Sequence, residues 1–202
     1  MKILFAGDSI TAGDRDELDP ADLGSGYVKI AAGKMRLLYP DMPLEFVNRG
    51  VGGERTADLS ARIKGDLSEQ RPVIVVLQIG INDVWHRFTH GTEVTAEQFR
   101  ENYEKIVAEI KTAGAKLFII EPYALKMGDK QRLRAGLDKI NAVVRDVAAR
   151  EADGFIPMDE IFAGVTQDIA PKQFSTDGVH PTHRGCRYIA DLLIKELKKH
   201  IS

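Results

Sequence analysis

Along this chain, short apolar runs alternate with longer stretches in which apolar residues recur every three or four positions. Ile3-Leu4-Phe5-Ala6 and Leu44-Glu45-Phe46-Val47-Asn48 read as the first two strands. Val73 to Ile79 is rich in β-branched residues and nearly all apolar, as a strand buried on both faces should be. Lys116-Leu117-Phe118-Ile119-Ile120 is a fourth, and Gly154-Phe155-Ile156-Pro157 a weaker fifth. A helical pattern runs from about Gly26 to Leu38, with Tyr27, Ile30, Ala31, Met35 and Leu38 near one face. Another runs from about Ala96 to Ala113, where Phe99, Tyr103, Ile106, Val107 and Ile110 share helical spacing. Thr95 precedes it with Gln98 three residues on, a capping box. Thr56 to Leu67 fits a shorter helix, and Lys130 to Ala152 and Pro181 to His200 fit two more.

Strand alternating with helix predicts an α/β protein with a parallel sheet covered on both faces. Right-handed crossovers make it a three-layer α/β/α sandwich around five strands. No internal repeat or low-complexity linker interrupts the pattern, so residues 1–202 are expected to form one domain. In such folds ligands bind beyond the carboxyl ends of the strands. The loops there hold Gly7-Asp8-Ser9-Ile10-Thr11, Asn48-Arg49-Gly50-Val51-Gly52-Gly53-Glu54 and Gly80-Ile81-Asn82-Asp83-Val84-Trp85. Asp177-Gly178-Val179-His180-Pro181 stands just before the last helix.

Those residue types suit acyl transfer. A serine hydroxyl needs a base to take its proton. His180 can be that base for Ser9, and Asp177 can hold the imidazole in the right tautomer. A base must be unprotonated, so the rate should fall in acid. The backbone N–H groups of Ser9 and Gly53 and the amide of Asn82 can cradle the oxyanion. A side chain at Gly53 would hinder that approach. Asp8, Trp85 and Tyr123 are candidate substrate contacts, although Asp8 is read first as an organiser of its turn. Asp83 is read the same way. Arg55 stands beside the oxyanion glycine, with a local salt bridge and a substrate contact both open.

Composition narrows the function classes. Lys plus Arg number 28 and Asp plus Glu 30, a formal charge of −2, so no basic excess points to nucleic acid. The one cysteine, Cys186, rules out an internal disulfide and fits a reducing compartment. The opening Met1-Lys2-Ile3-Leu4-Phe5-Ala6-Gly7-Asp8 falls short of the about 7–15 apolar residues of a secretory signal. Val73 to Leu77 is far below the ~18 needed to cross a bilayer. The expectation is a cytoplasmic protein with no membrane partner.

These four blocks, in this order, resemble the SGNH hydrolases, also called GDSL esterases and lipases. The resemblance runs from Gly7 to His180 and implies a flavodoxin-like SGNH fold. It also implies Ser9 as nucleophile, Asp177 and His180 as its partners, and Gly53 and Asn82 in the oxyanion hole. A closer resemblance is to bacterial acetylxylan esterases. It rests on Gly26-Tyr27-Val28, Val47-Asn48-Arg49-Gly50, Gly80 to Trp85, and the Asp-x-Val-His-Pro that ends at Pro181. That resemblance implies a small-molecule ester substrate such as an acetylated sugar, and homo-oligomers. The alternative is a lysophospholipase, thioesterase or arylesterase acting on longer or aromatic acyl esters.

Other readings compete. In Gly50-Val51-Gly52-Gly53, Arg55 stands where a dinucleotide fingerprint needs its third glycine. The Gly-x-Ser-x-Gly elbow is broken by Thr11. His86 and His90 are four apart in what reads as a polar loop, and Asp177, His180 and His183 cluster, but a zinc hydrolase wants three ligands converging on one ion. No metal and no cofactor is expected. Cys186 fits a packing residue of the last helix. An α/β module that binds a ligand without catalysis is the reading from another class, although no block residue is missing.

Overall fold

The computed structural model describes residues 1–201. Five strands, β1 (Lys2–Gly7), β2 (Glu45–Gly50), β3 (Ile74–Gln78), β4 (Lys116–Ile120) and β5 (Gly154–Ile156), form one sheet in the order β2-β1-β3-β4-β5. Every neighbouring pair is parallel. Around it lie α1 (Ser9–Ala12), α2 (Tyr27–Leu38), α3 (Thr56–Gln70), α4 (Ile81–Thr89), α5 (Ala96–Thr112), α6 (Arg134–Glu151), α7 (Met158–Val165) and α8 (His183–Leu197).

Strand order decides where the helices go. The chain steps one way from β1 to β2, then the other way through β3, β4 and β5. A right-handed crossover therefore puts α2 on one face and α3, α5 and α6 on the opposite one. The packing agrees: α2 lies against α8, and α5 lies against both α3 and α6. The core fills both sides of the sheet, with Ile3, Leu4, Phe5, Val75, Val76, Leu117 and Ile119 inaccessible to solvent.

The reversal falls between β1 and β3, whose ends meet where Gly7 pairs with Gln78. At such a point the outgoing connections diverge and leave a crevice. On its other side Gly7 pairs with Gly50 at the end of β2. A Cβ at Gly50 would lie 2.3 Å from the nitrogen of Ala12, so only glycine lets the turn after β1 cross the end of β2 this closely. Among the described residues, no helix is long and apolar enough to cross a membrane.

Three helices depart from the pattern read in the sequence, the first being α1, which begins within the segment Gly7 to Thr11 expected as a loop. Gly80 to Trp85, expected as a loop, enters α4, and His86 lies on that helix with His90 at its end. Met158–Val165, for which no element was expected, is α7. The pattern from Lys130 divides into a 3-10 turn over Gly128–Leu133 followed by α6. The last helix starts at His183, where Thr182 Oγ1 accepts from the Gly185 N–H at 3.1 Å.

Candidate functional site

Ser9 opens α1, a single helical turn directly after β1. Asp8 caps that turn, its Oδ1 accepting from the Ile10 N–H at 3.0 Å. From β2, buried Asn48 holds the same turn. Its Nδ2 donates to the carbonyls of Thr11 (2.9 Å), Ala12 (3.2 Å) and Leu23 (3.0 Å), and its Oδ1 accepts from the Gly50 N–H at 2.9 Å. One asparagine thus ties the serine turn, the loop after it and the end of β2 together. The sequence reading quoted Asn48 without a role. Its weight comes from burial, because a buried amide must find partners for its polar atoms.

From the far end of the chain, the loop before α8 brings up His180. Its Nε2 lies 3.1 Å from Ser9 Oγ, across 171 residues of sequence. Its Nδ1 lies 3.0 Å from Asp177 Oδ2. Asp177 Oδ1 also accepts from the N–H groups of Val179 at 2.9 Å and His180 at 2.8 Å. Ser175 Oγ donates to the His180 carbonyl at 2.7 Å and accepts from the Gly178 N–H at 2.9 Å. The side chains of His180 and Asp177 stay 44% and 35% exposed, so the imidazole faces the crevice. Ser9, His180 and Asp177 therefore meet in the order base chemistry requires.

The loop with Gly53 is braced from two sides. Asn82 Nδ2 donates to the Glu54 carbonyl at 2.9 Å, leaving its second amide hydrogen free of that bond. Asp83 accepts from Thr56 N–H at 3.0 Å and Thr56 Oγ1 at 2.7 Å, fixing the start of α3 against the start of α4. Asp83 is therefore an organiser, as expected. Arg62 grips Glu54 with two nitrogens, at 2.7 and 2.5 Å. Gly53 itself has φ +79, the left-handed region, and a Cβ there would meet nothing within 4 Å. What glycine supplies here is the backbone turn and open space above an exposed N–H.

Burial separates the aspartates. Loss of solvent pushes Asp8 up to about 7, against the bond from Ile10, with Asp83 and Glu54 raising it further. Loss of solvent also raises Asp83 to about 6, despite its bonds from Thr56. At Asp177 burial pushes upward too, but the bonds from Val179 and His180 outweigh it and hold the carboxyl below its ordinary value.

The remaining expectations divide. Trp85 is half-buried, its ring centroid 5.7 Å from that of His180, so it borders the site. Lys130 Nζ covers its ring at 4.3 Å. Tyr123 requires a correction as a substrate contact: it is fully buried, with its ring 4.7 Å from that of Phe162. Its aromatic bulk serves the core beneath α7. Asp8 is corrected in the same way, since only 1% of it is exposed and its bond is to its own turn. Arg55 takes the local option: its N–H and guanidinium both reach Asp58, at 3.0 and 3.4 Å. Among the described residues, no group of three or more His, Cys, Asp or Glu side chains is disposed to hold a metal ion. Cys186 is buried, and burial raises its thiol to about 11.

A cleft of about 420 Å³ opens beside Ser9 and His180, between α1 with the turn after it and the start of α8. A second of about 410 Å³, between α4, α5 and α6, touches neither residue.

A profile of the GDSL-like lipase/acylhydrolase family matches residues 5–188. An acetylxylan esterase of Geobacillus stearothermophilus is 29% identical over 97% of this chain and 93% of its own. An arylesterase of Vibrio mimicus is 22% identical over 99% and 90%. Among solved structures, a putative GDSL-like lipase from Parabacteroides merdae superposes with a TM-score of 0.90 at 26% identity, covering 96% of this chain and 94% of that one. A catalytic mutant of the Geobacillus stearothermophilus acetylxylan esterase superposes with a TM-score of 0.87 at 28% identity, covering 97% and 93%. Catalytic mutants of that esterase replace a serine, an aspartate and a histidine, the last two three positions apart.

Proposed function

Because this chain belongs to the GDSL-like lipase/acylhydrolase family and is a carboxylic ester hydrolase, we propose that it works through a serine acyl-enzyme and that its substrates are O-acetylated carbohydrates such as acetylated xylo-oligosaccharides. The observation that carries the mechanism is the Ser9–His180–Asp177 chain of contacts at 3.1 and 3.0 Å.

Ser9 Oγ attacks the ester carbonyl while His180 Nε2 takes its proton. Asp177 keeps Nδ1 protonated and stabilises the imidazolium that forms. The tetrahedral oxyanion is met by the N–H groups of Ser9 and Gly53 and by the free amide hydrogen of Asn82. His180 then returns the proton to the departing alcohol oxygen. Water enters, loses a proton to His180 and releases the acid, regenerating Ser9.

Likeness to an acetylxylan esterase over nearly the whole chain supports the sugar acetate, and so does the polar rim of the cleft at Ser9. The relative called an arylesterase favours the second reading, aromatic or longer acyl esters. A panel of p-nitrophenyl acetate, butyrate and octanoate, run beside acetylated xylo-oligosaccharides, separates the two. Acetate esters and sugar acetates should be turned over fastest; a strong preference for octanoate overturns the substrate class. Ser9→Ala should cut turnover by about 10⁶-fold with the fold intact. Turnover near that of the parent would refute the nucleophile.

A further inference from the structure

The cleft between α1 and the start of α8 runs past Ser9 and His180 to Asp14, Ser25, His183 and Cys186. Its volume of about 420 Å³ lies in the ~300–1,000 Å³ range of clefts that hold small molecules, well beyond the needs of an acetyl group. The room is for the other half of the ester.

Asp14 is the unusual residue at its rim. It has φ +58, one of two non-glycine residues with positive φ among those described. Directly before it, Gly13 is also left-handed, at φ +54. The turn is fixed to the nucleophile's helix, with the Gly13 N–H donating to the Ser9 carbonyl at 3.0 Å and the Arg15 N–H to that of Ala12 at 3.2 Å. A non-glycine residue in this region is uncommon and worth a functional look, aspartate being one of the few that adopt it. Asp14 is exposed, and its neighbours direct their donors elsewhere. Arg15 Nε bonds the Gly50 carbonyl at 2.8 Å, and Ser25 Oγ bonds the Gly13 carbonyl at 3.1 Å.

The rim is therefore rich in acceptors. Asp14 offers two carboxylate oxygens, and Ser25, its proton committed, offers lone pairs. Exposed His183 adds one ring donor and one acceptor. Acceptors of this kind match an alcohol that brings several O–H donors. They repel an anionic leaving group and give a plain alkyl chain nothing to bond.

We propose that this cleft holds the alcohol half of the ester as a sugar, and that Asp14 determines specificity by accepting hydrogen bonds from hydroxyls of the ring that bears the acyl group. The proposal rests on Ser9 as nucleophile and deepens the sugar-acetate reading.

The test uses Asp14→Asn and Asp14→Gly, because both residues tolerate φ +58 and keep the turn. In Asp14→Gly, which removes the acceptor, the ratio of kcat/KM for acetylated xylobiose to that for p-nitrophenyl acetate should fall about tenfold or more, the scale of a lost bond to a charged group, and Asp14→Asn, which keeps one neutral acceptor oxygen, should fall between it and the parent. The fall should be in KM, and the Ki of free xylobiose against p-nitrophenyl acetate should rise by a similar factor. An unchanged ratio overturns the role of Asp14. Equal losses on both esters also overturn it, by making Asp14 a support of the Ser9 turn. A loss confined to acetylcholine overturns it in favour of a cationic alcohol. If the parent enzyme cleaves p-nitrophenyl acetate and no sugar acetate, the broader substrate reading fails, and this one with it.

Discussion

The two walls of the crevice are built by opposite means. On the nucleophile's side, Asp8, Asn48, Thr56, Asn82 and Asp83 are almost wholly buried. Apart from the Asp8 cap and the Asn48 bond to Gly50, their bonds join segments far apart in sequence, as from Asn48 to Thr11 or Thr56 to Asp83. On the other side, the loop with Asp177 and His180 is half-exposed, and the bonds that Asp177 and Ser175 make within it span five residues or fewer, while His180 reaches Ser9 and the Gly178 carbonyl accepts from the Leu125 N–H at 2.7 Å. One wall is a product of the tertiary fold; the other is a pre-shaped loop that the fold only has to dock. The buried wall therefore carries the larger share of stability, and the exposed loop can be altered chemically with little effect on folding.

The sharpest test of that contrast is Asp177→Asn. The new amide would still accept from the Val179 and His180 N–H groups but would turn an N–H toward Nδ1, favouring the wrong tautomer. Activity on p-nitrophenyl acetate should drop by about 10³- to 10⁴-fold while Tm moves by only a few degrees. Large unfolding would show that the loop is structural after all.

Next comes Asn82→Ala on the opposite wall. It removes an oxyanion donor and leaves the Glu54 carbonyl without its bond. Turnover should fall about 100- to 1,000-fold, and here thermal scans should register a loss of stability as well. A variant as stable as its parent would break the contrast.

The third effect is electrostatic and leaves the chemical step untouched. Asp8 has a folded pKa of about 7 against an ordinary 3.8. A raised value means that protonation favours the folded state, so stability is fullest below pH ~4 and is lost as pH rises through 7. Asp177 is lowered, so its contribution is present above pH ~4 and fades below it. Asp8→Asn keeps the acceptor for Ile10 and removes the buried charge. In urea titrations the variant should gain on the parent between pH 4 and pH 8, by at most about 4 kcal/mol. A difference that stays flat across that range would mean the carboxyl does not titrate there.

Much of this was legible beforehand where one period dominated. The strand Val73 to Ile79 was found because a doubly buried strand has no polar face to confuse it, and four blocks placed after strands located the crevice. What escaped was short or depended on burial. Ile81, Val84, Trp85 and Phe88 carry helical spacing, as do Met158, Ile161, Phe162 and Val165, yet each covers only two turns, and neither helix has a side-chain cap at its start. Tyr123 was misjudged because nearness to the active edge in sequence says nothing of which way a ring points. Asn48 could not be weighed without knowing that it is buried, because its value lies in bonds to Thr11, Ala12 and Leu23 that only the folded chain brings near.

The span of 171 residues between Ser9 and His180 has a consequence for biosynthesis. The nucleophile leaves the ribosome well before its base, which follows 171 residues later. Until α8 docks, the emerging polypeptide displays a serine with no proton acceptor. Hydrolytic competence is thereby withheld from any nascent chain that has not yet received the His180 loop.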